Sequence, residues 1–144
     1  MRDITDGIRG AEQLKQNIKF IWNTAGNCLL NQHSDIHATS KILADESLCE
    51  FIVDVNVTRT SSNRFADIIL PDATPLEQED FVRPSAGYSN DRPYIIYSQK
   101  AIEPVGEAMP VYEMCARLAE RLGGEAFKQA FTEGRTQVEW LEHL

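Results

Sequence analysis

The chain has 144 residues and a net charge of −8, because 22 acidic residues outnumber 14 basic ones. This size suits one globular domain with a single core, and the ordinary hydrophobic content of 42% agrees with that. The acidic balance, with no long run of Lys or Arg, argues against a nucleic acid or an anionic membrane as the partner. No apolar stretch reaches the ~18 residues of a membrane helix, and the opening MRDITDGIRG lacks the apolar core of a targeting signal.

The first predicted strand covers about residues 18–22 and leads directly into a polar segment. Its sequence, IKFIW, is typical of a buried strand in a parallel sheet. Residues 23–34 follow, with several amides and hydroxyls, His33 and one glycine, Gly26. Ligands of open α/β sheets bind beyond the carboxyl ends of the strands, so this segment suits a polar ligand such as a nucleotide. Amide side chains also bond their own backbone in turns, and both interpretations stay open here.

A helix and two further strands complete a predicted βαβ arrangement. Apolar residues recur at helical spacing over roughly 35–47, and residues 49–57, CEFIVDVNV, are typical of a second buried strand. A helix of this length between two strands predicts a parallel pair. A third short strand is predicted over 66–70, before Pro71. The chain is therefore predicted to be α/β with a parallel sheet.

A second polar loop follows the second strand. Residues 56–63, NVTRTSSN, are again rich in hydroxyls and amides. Both polar loops should lie at one edge of a parallel sheet and face one crevice, which strengthens the prediction of a ligand site. The alternative is that Ser61 or Ser62 simply caps the next helix.

Residues 71–109 carry five of the six prolines and are predicted to form an irregular excursion, interrupted by a strand-like piece over 94–97. A connection this long without regular structure usually lies against a partner or has a function of its own. A helix over 110–123 is predicted next, because proline stands at its first position and glycine after its last apolar residue. A capping box of Thr136 and Glu139 predicts a last short helix.

No catalytic centre and no metal site are predicted from the residues. The acidic group at 77–80 is interpreted as a solvated charge run, and the four-residue spacing of His33 and His37 has no third ligand with it. The three cysteines are far apart and odd in number, so we expect small apolar fillers and neither disulfides nor an iron–sulfur cluster. From the residues alone, the chain is a polar-ligand-binding α/β domain.

Two sequence stretches resemble a known family. They are IKFIWNTAGNCLLNQHSD and, after a helix, CEFIVDVNVTRTSSNRFADIILPDATPLEQEDF. Both resemble the molybdopterin oxidoreductases, and AGNCLLNQHSD in particular resembles their dimethyl sulfoxide reductase branch. The C-terminal FTEGRTQVEWLEHL agrees with this, so the resemblance extends over nearly the whole chain.

The resemblance implies a three-layer, Rossmann-like α/β domain over 1–144, which would be an internal segment of a longer catalytic subunit. In this family such a domain helps to bind one guanine dinucleotide arm of a bis(molybdopterin guanine dinucleotide) molybdenum cofactor. The implied cofactor-binding residues are Asn23, Gly26, Asn27, Gln32, His33, Asn56, Thr58 and Thr60.

Each implied residue has an expected part of the ligand. Gly26 and Asn27 would meet the pyrophosphate or sugar region, since glycine allows backbone access and asparagine offers donors. Asn56 and Thr60 would lie near the guanine or its ribose. The remaining residues of the first loop would line the same polar pocket, and Asp67 is expected to be structural.

The resemblance also implies the setting of the whole protein. The parent would reduce S-oxides by oxygen-atom transfer at molybdenum and would carry an iron–sulfur cluster outside this segment, while the isolated chain would be inactive and hold no cofactor. Its partners would be the remaining domains, an iron–sulfur electron-transfer subunit and a membrane anchor subunit, after export to the periplasm. The alternatives are a free-standing nucleotide-binding domain, a protein-interaction module, or a segment of a related N-oxide or oxyanion reductase.

Overall fold

A computed structural model describes residues 18–32, 34–82 and 96–143. The chain divides into two compact units, Met1–Pro71 and Asp72–Leu144. Each unit is described by itself, and the interpretation of residues 1–144 as one α/β domain stays a prediction.

The first unit contains the predicted parallel sheet. Its elements are β1 (Phe20–Thr24), α1 (Cys28–Asn31), α2 (Ile36–Leu43), β2 (Phe51–Asn56), a 3-10 helix (Ser62–Phe65) and β3 (Ile68–Pro71). The strands lie in the order β1-β2-β3, and both pairs are parallel. The α/β class and the parallel pairing are therefore confirmed, and the sheet with its helices is consistent with a Rossmann-like segment.

Helix α2 begins where the sequence predicts and ends earlier. The side chain of Asp35 accepts a hydrogen bond from the backbone N–H of Ala38 at 3.0 Å, which caps the helix N-terminus. The prediction extended the helix to residue 47, but the carboxylate of Asp45 accepts bonds from the backbone N–H and the hydroxyl of Ser47 at 3.0 and 2.6 Å. This local turn competes with the helix and ends it after Leu43.

One small apolar cluster forms the core of the first unit. Leu29, Leu43, Cys49 and Ile52 are all buried in it. Cys49 is therefore a buried apolar filler, as predicted. Cys28 and Cys115 are only half-buried, and none of the three thiols forms a disulfide.

Asp67 fastens the start of β3 to the start of β2. Its carboxylate Oδ2 accepts a hydrogen bond from the backbone N–H of Ile52 at 2.7 Å, and its own backbone N–H donates to the carbonyl oxygen of Ile52 at 2.9 Å. The two bonds extend the parallel pairing by one residue beyond the strand proper. The structural interpretation of Asp67 is confirmed.

The second unit opens with the segment that was predicted to be irregular. Within it, β4 (Asp80–Val82) and β5 (Ile96–Ser98) form a two-stranded antiparallel sheet. The strand predicted over 94–97 is confirmed at Ile96 and Tyr97, β5 continues to Ser98, and residues 94 and 95 lie outside the described residues. The described residues of this segment therefore include two short strands, and the irregular excursion over 71–109 stays a prediction.

Glu77 organises this segment from inside, so the interpretation of the acidic group as a solvated charge run is wrong for this residue. Glu77 is only 5% exposed. Its two carboxylate oxygens accept bonds from the backbone N–H groups of Thr74 at 2.7 Å and Val105 at 2.8 Å. These bonds lower the pKa of the Glu77 carboxyl, with the bond from Thr74 contributing most. A buried carboxylate here closes a loop that has few ladder hydrogen bonds of its own.

Two helices complete the second unit. Helix α3 (Val111–Thr132) follows Pro110, as predicted, and its helical conformation breaks at the predicted end, where Gly123 and Gly124 lie outside helical φ/ψ; a second helical segment, which was not predicted, follows the break. Helix α4 (Gln137–His143) is also confirmed, with its capping box. The carboxylate of Glu139 accepts a hydrogen bond from the backbone N–H of Thr136 at 2.7 Å. The hydroxyl of Thr136 accepts one from the backbone N–H of Glu139 at 3.3 Å. No helix in the described part of the chain is long and apolar enough to cross a membrane.

Candidate functional site

Two polar loops meet at the edge of the sheet where β1 and β2 end. Asn23 of β1 lies in register with Asp54 of β2, and the loops that follow cover residues 25–27 and 57–61. Because parallel strands end at the same edge, both loops leave the sheet on one side. The predicted convergence of the loops is confirmed, and we call this part of the first unit the carboxyl edge.

The first loop turns through two residues in the left-handed region. Ala25 has a φ of +58° and Gly26 a φ of +80°. The backbone N–H of Ala25 still donates to the carbonyl oxygen of Val55 at 3.0 Å, so the turn begins directly at the sheet. Glycine adopts this conformation without strain, whereas alanine does so at a cost. Gly26 is exposed, which leaves its backbone open to the approach of a ligand.

The side chain of Asn56 binds both backbone groups of Gly26. The N–H of Gly26 donates to Asn56 Oδ1 at 3.3 Å, and Asn56 Nδ2 donates to the carbonyl oxygen of Gly26 at 2.8 Å. Asn56 is only 7% exposed. Its carboxamide therefore holds the first loop in place, and a direct contact of Asn56 with a nucleotide stays a prediction.

Asn27 joins the first loop to the second. Asn27 Nδ2 donates to the hydroxyl of Ser61 at 2.8 Å, while Asn27 Oδ1 accepts from the backbone N–H and the hydroxyl of Ser62 at 2.9 and 2.6 Å. The hydroxyl of Ser62 also accepts from the backbone N–H of Leu30 at 3.2 Å. The suggested helix cap is not observed, because Ser61 makes no side-chain cap bond to the 3-10 helix. The serine hydroxyls connect the two loops.

A buried polar row lies beneath the loops. Asp54 is 0% exposed, and its Oδ1 accepts from Asn23 Nδ2 at 3.0 Å and from Asn56 Nδ2 at 3.3 Å. Asp54 Oδ2 has no hydrogen-bond partner among the described residues. Sequence reasoning missed Asp54, although a carboxylate inside an otherwise apolar strand, two positions before a second polar residue, was a visible signal.

The second loop carries polar groups that are open to a ligand or lack a partner. The backbone N–H of Thr60 donates to Asn63 Oδ1, while Thr60 Oγ1 and Asn63 Nδ2 are buried and find no partner in the part of the chain that the structure describes. Thr58 and Arg59 are exposed on the same loop. A hydroxyl and a guanidinium can bind phosphate or sugar oxygens. Sequence reasoning did not assign Arg59 and Asn63.

Gln32 and His33 are the last predicted residues of the first loop. Gln32 is exposed, and its Nε2 donates to Cys28 Sγ at 3.4 Å. His33 lies outside the described residues. The structure therefore brings Asn23, Gly26, Asn27, Asn56 and Thr60 together at the carboxyl edge, with Thr58 exposed beside them.

No candidate metal centre stands out in residues 18–32, 34–82 and 96–143, where no three His, Cys, Asp or Glu side chains form a group that could hold a metal ion. His37 lies on α2 in the first unit. The carboxyl edge instead offers neutral donors, acceptors and one guanidinium, a set that suits an oxygen-rich organic ligand.

The second unit has a separate cleft of about 570 Å³ beside α3 and α4. Its lining includes Glu113 and Glu125 as well as Lys128 and Arg135, so its charges are mixed. The phenol of Tyr112 donates to the carbonyl oxygen of Arg135 at 2.6 Å across one side. None of the residues predicted to bind a cofactor lines this cleft, and it offers no row of unpartnered polar groups.

The chain matches the family model described as "Molybdopterin oxidoreductase" over residues 4–121. It is also similar to curated proteins that are named as dimethyl sulfoxide reductases. Dimethyl sulfoxide reductase DmsA of Escherichia coli (strain K12) is 48% identical over 144 residues, which is 100% of this chain and 17% of that protein. The protein of the same name from Haemophilus influenzae is 44% identical over the same length.

A more distant relative broadens the comparison. The dimethyl sulfoxide/trimethylamine N-oxide reductase of Cereibacter sphaeroides is 36% identical over 134 residues, or 93% of this chain and 15% of that protein. The chain thus spans only about one sixth of the length of these relatives, between 15% and 17%.

Proposed function

This chain belongs to the molybdopterin oxidoreductase family, and from that premise we propose that its carboxyl edge helps to bind a guanine dinucleotide arm of a molybdenum cofactor. The observation that carries the proposal is the bonding of Asn27 to Ser61 and Ser62, which makes one polar surface from two loops. Ligands of open parallel sheets bind at such an edge. A dinucleotide, with its phosphates, riboses and base, suits a surface of this extent and polarity.

The residues at this edge fit such a ligand in two ways. Gly26 is exposed in a left-handed turn, so a phosphate or ribose can approach its backbone closely. Thr60 Oγ1 and Asn63 Nδ2 are polar atoms without a partner among the described residues, and native structures rarely leave such atoms unsatisfied. A bound ligand, with a small opening of the loop, would supply those partners.

The predicted residues are proposed to divide into holding and contacting groups. Asn23, Asn27 and Asn56 hold the loops, because their carboxamides bond side chains or backbone of this chain. Thr58 and Thr60 are proposed to contact the ligand with their hydroxyls. Gln32 and His33 are proposed on sequence grounds to line the same pocket, and Gln32 is exposed as that role requires.

Arg59 is proposed to supply the positive charge that a pyrophosphate needs. The chain has a net charge of −8, which repels an anionic ligand in general. Arg59 is exposed between Thr58 and Thr60, so its guanidinium can reach a phosphate oxygen pair without displacing an ion-pair partner within the described residues.

The whole protein is proposed to be the catalytic subunit of a reductase for S-oxides. The cofactor, when bound, supplies oxygen-atom transfer, while this chain contributes binding and orientation. An N-oxide or another oxyanion is the alternative substrate, since one relative is named for both dimethyl sulfoxide and trimethylamine N-oxide. An iron–sulfur cluster, an electron-transfer subunit, a membrane anchor subunit and export to the periplasm are proposed from the family resemblance alone.

A role as a protein-interaction module is a second candidate, favoured by the apolar side chains that α3 exposes. Leu122 is 71% exposed, and Phe127 and Phe131 are also open. Apolar side chains grouped on one helix favour packing against another protein surface. If this role is independent of a cofactor, the 144-residue chain should form a stable dimer or bind a partner without any nucleotide.

The proposal is tested on the complete polypeptide that contains this sequence. We expect the purified protein to release guanine nucleotide after acid hydrolysis and to contain molybdenum, and we expect Arg59→Gln to reduce both in parallel. Lys41→Gln is the matched control, because Lys41 is exposed on α2 and away from both loops. Unchanged guanine and molybdenum contents in Arg59→Gln and in a second variant, Gly26→Ala, would contradict binding at this edge.

A further inference from the structure

We propose that Asp54 is a positioning residue that sets the orientation of the Asn56 carboxamide and, through it, the conformation of the turn at Gly26. Asp54 touches neither loop directly and is 0% exposed, so it cannot contact a ligand itself. The inference extends the proposed function to a buried residue and rests on it only for the consequence for cofactor binding.

The argument starts from the shared acceptor. Asp54 Oδ1 accepts one hydrogen bond from Asn56 Nδ2 at 3.3 Å and another from Asn23 Nδ2 at 3.0 Å. A carboxamide can donate a hydrogen bond only from its nitrogen, and Asp54 Oδ1 is the acceptor in both contacts. Both neighbouring carboxamides must therefore turn their Nδ2 groups towards Asp54.

This requirement decides how Asn56 meets the first loop. With Nδ2 towards Asp54, the second proton of Nδ2 reaches the carbonyl oxygen of Gly26, and Oδ1 faces the N–H of Gly26. The flipped carboxamide would place its oxygen against the carboxylate and its Nδ2 against the N–H of Gly26. Both contacts would then be unfavourable, so Asp54 selects the one orientation in which Asn56 binds Gly26 twice.

The turn depends on the two hydrogen bonds from Asn56 because its backbone conformation is costly at Ala25. Ala25 has a φ of +58° and precedes Gly26 at +80°, and a non-glycine residue with positive φ persists only where the surrounding structure holds it. The turn is exposed, so packing contributes little there. The chain of bonds from Asp54 through Asn56 is the support that the structure offers.

The test measures hydrogen exchange at the backbone N–H of Gly26 in the 144-residue chain by NMR. Asp54→Leu keeps the size of the side chain but removes the acceptor, and we expect exchange at Gly26 to be about tenfold faster, the factor that loss of one hydrogen bond typically produces. Asp54→Asn restores an acceptor oxygen, so exchange should return to nearly the wild-type rate.

A control separates positioning from general destabilisation. Val55→Ala removes buried apolar atoms from the same strand without touching the polar row. It should accelerate exchange throughout β2 by a common factor, whereas Asp54→Leu should accelerate Gly26 more than the strand amides. Equal acceleration of Gly26 and the strand amides in Asp54→Leu would overturn the proposal.

A measurement on the wild-type chain covers the case in which Asp54→Leu does not fold. The Nδ2 protons of Asn56 are both bonded, so they should exchange far more slowly than those of the exposed Gln32 side chain. Equal exchange rates for the two side-chain amides would overturn the proposal without any substitution.

Cofactor content in the complete polypeptide then distinguishes the two hypotheses. Loss of guanine nucleotide in Asp54→Leu with rescue in Asp54→Asn supports both the positioning role and the proposed function. If Gly26 exchange responds to Asp54 but guanine content does not, positioning holds and the proposed binding at this turn fails. If guanine is lost while Gly26 exchange is unchanged, the positioning role is wrong.

Discussion

Asn27 Oδ1 accepts hydrogen bonds from both the backbone N–H and the hydroxyl of Ser62, at 2.9 and 2.6 Å. Ser62 is completely buried, so these donors have no access to water. The two residues are 35 positions apart in the chain, and their contact joins the loops after β1 and β2 into one surface. Several properties of the candidate site depend on this contact.

Replacement of Asn27 by alanine should destabilise the chain by about 1–3 kcal/mol, because it leaves buried donors of Ser62 without an acceptor. Urea denaturation of the 144-residue chain measures the change. Gln32→Ala, on the exposed side of the same loop, is the control and should cost less than about 0.5 kcal/mol. Equal losses of unfolding free energy in the two variants would show that the contact of Asn27 with Ser62 adds no stability of its own.

Gly26→Ala should separate backbone strain from ligand binding when it is compared with Gly106→Ala. Both glycines have positive φ, +80° and +63°, so each substitution should cost about 1 kcal/mol of folding free energy. A Cβ at residue 26 would lie 3.6 Å from Cys28 Sγ, an ordinary contact, and one at residue 106 would meet nothing within 4 Å. Only Gly26→Ala should lower the guanine content of the complete protein, and a similar loss in Gly106→Ala would attribute the effect to instability.

Arg59→Gln should weaken cofactor retention through charge, and not through folding. Arg59 is exposed and makes no ion pair within the described residues, so its removal should change the free energy of unfolding by less than about 0.5 kcal/mol. Dissociation of the cofactor at increasing salt is the sensitive measurement. The wild type should lose cofactor as salt screens the contact, and the variant should be weaker at low salt and less dependent on salt.

Stability of the second unit should fall in acid because of Glu77. Hydrogen bonds from Thr74 and Val105 lower the pKa of its carboxyl below the ordinary value of 4.5. A depressed pKa in the folded state means that the stabilisation is complete above the unfolded pKa and is lost as pH falls through the folded pKa.

Glu77→Gln tests this assignment by denaturation at a series of pH values below 5. The variant should be less stable than wild type at neutral pH, and the difference should shrink as the wild-type carboxyl becomes protonated. Glu103→Gln is the control, since Glu103 is exposed and pairs with Lys100 on the surface. A constant difference between Glu77→Gln and wild type across the acid range would contradict the pKa assignment.

Regular elements with a strong local signal were predictable. Short apolar runs rich in β-branched and aromatic residues identified the strands, and the capping box of Thr136 and Glu139 identified α4, because these signals arise within a few residues of one another. The break in α3 at Gly123 was predictable, since glycine is an ordinary residue at a helix end, whereas the helical segment after the break was not predicted. Glu77 was misread because one of its two partners, Val105, lies 28 positions away in the sequence.

The position of the candidate site was predictable from the sequence, but the hydrogen bonds within it were not. Polar loops after parallel strands meet at one edge in any such sheet, so residues 23–34 and 56–63 were sufficient to locate the carboxyl edge. The roles of the individual residues depended on contacts between residues that lie 30 to 35 positions apart. Asn56 was predicted to lie near the guanine or its ribose, which stays a prediction, while the structure shows that its carboxamide binds Gly26.

The sequence by itself indicated the α/β class and the parallel pairing of the first two strands, because periodicity and turn residues are properties of neighbouring residues, and the resemblance of two stretches indicated the family. The tertiary structure decided which polar groups are already satisfied and which remain open, because burial and hydrogen bonding depend on what the fold brings together. Asp54 shows the difference: along the chain it is one acidic residue within a strand, and in the fold it lies between Asn23 and Asn56 as the acceptor that orients them both.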